Sequence, residues 1–82
     1  MKDYNGFPNY NQWNQNLWIA NDEGLYLTAK ACIETADHGC LKNAAQVFID
    51  FMKDQGQERT PDNVKWSFVG VYRAFRNNFA ED

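Results

Sequence analysis

The sequence predicts an all-α fold, a compact four-helix domain with an irregular aromatic N-terminal lead. Three observations predict it. Apolar residues recur at intervals of three and four in four stretches, turn signals divide those stretches, and none alternates convincingly with period two. Eighty-two residues leave room for one core, so residues 1–82 read as a single domain. A core this small is marginal unless its apolar residues are large. Three Trp, four Tyr and six Phe supply that size, each ring able to bury roughly 150–250 Å².

Residues 1–9 read as the irregular lead. Asn5-Gly6 favours a tight turn because both residues tolerate positive φ, and Pro8 biases Phe7 towards extended backbone. A first helix, capped by Asn9 or Asn11, runs to about Ala20 with Trp13, Leu17 and Ala20 on one face. Asn21 is the expected cap of a second helix, with Asp22 and Glu23 at its positive end. Leu25, Ala29, Cys32, Ile33 and Ala36 form its apolar seam, and Gly39 terminates the run. The third helix spans about Leu41 to Gln55, with Leu41, Ala44, Ala45, Phe48, Phe51 and Met52 inward and Gly56 as its stop. For the fourth, Thr60 reads as the cap, Pro61 as the first helical residue and Asp62 as a first-turn acid. Val64, Phe68, Val71, Phe75 and Phe79 then make one continuous seam, so Phe68 and Phe75 are both expected in the core.

The net charge of −3 is ordinary for a soluble protein and far from the dense acidity of a thorough DNA mimic. No apolar run approaches the roughly 20 residues of a membrane span, and no charged-then-apolar leader suggests secretion, so a cytoplasmic location without membrane attachment is expected. Cys32 and Cys40 are too few for a disulfide framework and read as free thiols.

Chemistry is hard to find. Cys32, His38 and Cys40 lie close enough to suggest zinc, but a closed site needs a fourth ligand and the chain has no other Cys or His. A Cys40–His38 nucleophile pair would also need an oxyanion site and a cleft, for which a helical domain of this size has little volume. The five glycines are scattered singly, so no phosphate loop is present. The expectation is therefore no enzyme, no metal and no cofactor.

Two binding surfaces remain. Glu23, Tyr26, Lys30, Glu34 and Asp37 fall away from the second helix's seam, and Trp13 and Trp18, five residues apart, cannot share one stripe. Trp18 and Tyr26, rimmed by Asp22, Glu23, Glu34 and Asp37, are the candidate anchors for a protein partner. The bland alternative is that Trp18 packs beneath the Tyr4–Tyr10 segment. The second surface is cationic. Residues 59–76 hold Arg59, Lys65, Arg73 and Arg76 against Asp62 alone, and Lys65, Arg73 and Arg76 lie with Tyr72 on roughly one side of the expected fourth helix. Such a face could contact nucleic-acid phosphates or stack on a base, although a solvated helix face has the same composition.

The stretch from Tyr4 to Tyr26 carries six aromatic rings interleaved with Asn5, Asn9, Asn11, Asn14, Asn16 and Asn21. It resembles the opening of small, functionally uncharacterised proteins of tailed phages and prophages, whose pattern runs Tyr-Asn-Gly-x-x-Asn-Tyr-x-Thr-Trp-Asn-x-x-Leu-Trp-x-x-Asn-Asp-Glu-Gly-Leu-Tyr. This chain departs from it at Gln12, where the pattern has Thr. The resemblance covers about a quarter of the chain and implies no specific activity. By association it suggests a non-enzymatic interaction module in a bacterial host, most concretely an anti-CRISPR-like inhibitor docking on a host protein or nucleoprotein complex. The alternative is a small nucleic-acid-binding or regulatory protein using the basic face.

Overall fold

The computed structural model describes residues 7–36 and 39–79. It is an all-α domain of four helices: α1 (Tyr10–Asn21), α2 (Glu23–Thr35), α3 (Leu41–Asp54) and α4 (Phe68–Phe79). Each helix packs against two others in a closed cycle, α1 on α2 and α4, and α3 on α2 and α4. The shared interior holds Ile19, Ala29, Ala45, Phe48, Val71 and Phe75, all fully buried. Phe48 meets Trp66 and Phe75 edge-on, at 5.2 and 5.6 Å between centroids, which is the favoured aromatic geometry. Asp37 and His38 lie outside the described residues, as do the Asn5-Gly6 turn and Tyr4.

Local chemistry sets the helix starts. Asn9 caps α1 by accepting from the Gln12 amide at 2.9 Å, one of the two expected positions. The cap of α2 is Asp22 rather than Asn21, its Oδ1 accepting from the Leu25 amide at 3.0 Å. Asn21 instead completes α1 and donates its side-chain amide to Leu17 O. One residue therefore separates the two helices, and its carboxylate meets the positive end of α2.

The largest departure from expectation is the start of α4, at Phe68 rather than Pro61. Residues 58–66 form a small hairpin in which Trp66 N donates to Glu58 O (3.0 Å) and Thr60 N to Val64 O (2.7 Å), around an antiparallel Arg59–Lys65 bridge. Pro61–Asn63 make its three-residue loop, with Asn63 N bonded to Thr60 O and Asn63 in the left-handed region at φ 69°. Thr-Pro-Asp suits a hairpin turn as well as a helix start, because both need a fixed φ at Pro and a side-chain acceptor before it. The deciding signal is the alternation after the turn. Val64 and Trp66 are buried while Asn63, Lys65 and Ser67 are exposed, a period of two. Ser67 is the actual cap of α4, its Oγ accepting from the Gly70 amide at 3.1 Å.

Shortening α4 changes its seam. Val71 and Phe75 are buried and Phe79 packs against the core, but Phe68 is 39% exposed. Phe51 of α3 is likewise 43% exposed. In α1 the expected stripe of Trp13, Leu17 and Ala20 is only half-buried, and the innermost residues are Asn14, Gln15 and Ile19.

Candidate functional site

Asn14 and Gln15 are both fully buried, which is costly for amides unless every polar atom is paired. Their partners lie some fifty residues away in the hairpin. Asn14 Nδ2 donates to Asp62 Oδ2 at 2.8 Å, and Asn14 Oδ1 accepts from the Thr60 hydroxyl at 2.8 Å. Thr60 Oγ1 in turn accepts from the amides of Asp62 and Val64, both at 3.2 Å, so its one donor and two acceptor sites are all used. Trp18 adds its indole N–H to the same Asp62 oxygen at 2.9 Å. Gln15 holds the other end, accepting from Ser67 N (2.9 Å) and donating to Ser67 Oγ and Asn11 O (3.2 Å each). Asn16 extends the seam by accepting from Asn78 and Asn77 on α4, at 2.8 and 3.2 Å.

Within the described part of the aromatic and amide-rich motif, several side chains therefore serve the fold. Asn9 and Asp22 cap helices, while Asn14, Gln15 and Trp18 fasten the hairpin. The two hydrogen bonds from Asn14 and Trp18 hold the Asp62 carboxyl below the usual carboxylate range. Trp18 is not a freely projecting anchor: it packs against the core with its N–H committed to Asp62. The Tyr4–Tyr10 segment expected as its cover lies partly outside the described residues, and the described contact is with Asp62.

Beside the hairpin runs an open groove of about 920 Å³, walled by the start of α2, the end of α3 and residues 55–59 with Pro61. Its lining includes Asp22, Leu25, Phe51, Lys53, Arg59 and Trp66, a mixture of apolar surface and both signs of charge. Trp66 is 4% exposed, and its indole Nε1 has no hydrogen-bond partner. Of the residues expected to bind a protein partner, Asp22 lines this groove, whereas Glu23, Tyr26 and Glu34 are exposed elsewhere on α2. Tyr26 leans on Phe79 at 4.9 Å between centroids, and Asp37 falls outside the described residues.

The expected cationic set is divided. Arg73 and Arg76 are exposed on α4, but Lys65 belongs to the hairpin and shares no helix face with them. The structure supplies Lys42 of α3 in its place, with Nζ 6.0 Å from the centre of the Tyr72 ring and Arg76 Cζ at 5.9 Å. Sequence spacing within one helix could not reveal Lys42, because it joins the cluster only through α3–α4 packing.

Cys32 is buried in the α2 seam, where loss of solvation raises its thiol pKa, and Cys40 is a half-buried free thiol ahead of α3. Among the described residues no three His, Cys, Asp or Glu side chains gather as metal ligands, and no helix is long and apolar enough to cross a membrane.

No curated protein and no solved structure matches the chain. A family of unknown function, DUF7249, matches residues 1–82, and the chain belongs to it.

Proposed function

We propose that this member of a family without an assigned activity is a non-enzymatic protein-interaction module, and that the groove beside the hairpin is its docking face. The observation that carries the reading is the fastening of residues 60–67 by Asn14, Gln15 and Trp18. Buried amides satisfied this fully specify one conformation of a turn that short hairpins do not hold alone. A fixed turn contributes Arg59 and Pro61 to the groove lining together with Leu25 and Phe51, and so presents a preformed surface. A preformed surface binds without the cost of ordering a loop.

The narrower form of the proposal is an anti-CRISPR-like inhibitor of a host defence complex, acting in the bacterial cytoplasm. It rests on the resemblance of Tyr4–Tyr26 to small phage and prophage proteins. The test is an affinity capture from host lysate with nuclease treatment in parallel, read by mass spectrometry. The expected result is a stoichiometric, nuclease-resistant protein that is lost with Lys53→Glu/Arg59→Glu and kept with Glu23→Lys/Glu34→Lys. Loss with the second variant alone would move the docking face to the outer side of α2, and recovery only of nucleic acid would refute a protein partner.

A further inference from the structure

A second surface, formed by the start of α3 and by α4, carries an independent inference. The whole of α4 and residues 41–49 of α3 contain no Asp or Glu, yet hold Lys42, Arg73 and Arg76. The rest of the chain has five basic residues against eleven acidic ones, so α4 with the first nine residues of α3 stands out against its own background, the acids of α3 (Asp50 and Asp54) falling in its C-terminal third. At its centre Phe68 and Tyr72 lie nearly parallel, with planes 7° apart and centroids 6.1 Å apart. Lys42 and Arg76 both approach the Tyr72 ring at about the limit of a cation–π contact. Phe68 is 39% exposed, and Lys42, Arg73 and Arg76 are all exposed. Along the chain the acids that flank these stretches are Asp50 and Asp62, and Asp37, Glu81 and Asp82, which lie outside the described residues.

From this geometry we infer that the α3–α4 face binds single-stranded nucleic acid, with Phe68 as a stacking platform for a base and Lys42, Arg73 and Arg76 as phosphate contacts. An exposed ring stacked beside a second ring that cations flank matches a strand that alternates planar bases with phosphates. A duplex keeps its base faces stacked inside and cannot use Phe68. An acidic peptide would satisfy the cations but leave the ring unfilled. The inference does not depend on the groove, whose α3 lining is Phe51, Met52 and Lys53 at the C-terminal end, whereas Lys42 lies in the first turn of that helix.

Fluorescence anisotropy tests it, using labelled single-stranded oligothymidine, with the matching duplex and polyglutamate as competitors. Three phosphate contacts at roughly 0.7 per phosphate give a salt slope near −2, so affinity should fall roughly 15–20-fold between about 50 and about 200 mM salt. Arg73→Ala/Arg76→Ala should weaken binding at least about tenfold, consistent with the loss of two of three phosphate contacts. Phe68→Ala, its folding checked by a thermal melt, should weaken binding several-fold, while Lys65→Ala, on the hairpin, should leave it unchanged. No binding at the low-salt end would overturn the proposal. So would equal competition by polyglutamate, or an unaltered affinity in Phe68→Ala.

Discussion

Alanine at Gly70 sets helix propensity against packing. Within a helix, Ala is favoured over Gly by about 1 kcal/mol or less, because Gly loses more backbone freedom. Here the added methyl would overlap the side-chain amide of Gln15. That amide is fully buried and held by Ser67 N, Ser67 Oγ and Asn11 O, so it cannot swing aside without breaking those bonds. At about 1 kcal/mol net for each, losing two or three costs roughly 2–3 kcal/mol. Packing therefore wins, and Gly70→Ala is expected to destabilise by roughly 1–2 kcal/mol. For a chain of this size that lowers the melting temperature by about 5–15 °C. Circular dichroism melts read the effect directly. The double variant Gln15→Ala/Gly70→Ala supplies the control, since with Gln15 truncated the methyl has space and Gly70→Ala should become neutral or mildly stabilising. A single variant that melts above wild type would refute the close approach of α1 and α4 from which the argument starts.

Other perturbations probe separate parts of the structure. Asn14→Ala leaves the buried Thr60 hydroxyl without its acceptor and should cost roughly 2–4 kcal/mol, measured by urea denaturation. Phe75→Ala should cost roughly 3–5 kcal/mol, while Phe68→Ala, at an exposed site, should cost well under half of that, so their melts should separate clearly. Asp62 has a folded pKa below its unfolded value of about 3.9, so its contribution is present above that pH and is lost as pH falls through the lower folded pKa. Stability followed below about pH 4 should accordingly decline less steeply in Asp62→Asn than in wild type. A thiol reagent should modify Cys40 well before Cys32, whose burial disfavours the reactive thiolate, and mass mapping of the labelled peptides reads the order.

Where a helix is held by an apolar stripe, its sequence was readable. The Ala44, Ala45, Phe48 and Met52 face of α3 and the Ala29 and Cys32 seam of α2 are buried as their spacing implies. The first helix misleads because its inner face is polar. Hydropathy ranks Trp13 and Leu17 above Asn14 and Gln15, yet two amides can be buried when distant residues satisfy them, and Thr60, Asp62 and Ser67 do so. Nothing local to Asn14 announces a partner 46 residues away. The hairpin was hidden differently, since Thr60-Pro61-Asp62 satisfies the chemistry of two structures and only the alternation from Asn63 to Ser67 separates them. Of the candidate binding residues, Arg73 and Arg76 lie one turn apart on α4, but the division of Lys65 from Lys42 required knowing which helices touch.

Amide hydrogen exchange of the chain, alone and with its captured partner, decides whether the groove is the docking face. Docking in the groove should slow exchange at residues 55–59 and around Gly24 and Leu25 at the start of α2, all of which line it. Slowing confined to the segment from Tyr26 to Glu34, with the groove walls unchanged, would contradict it.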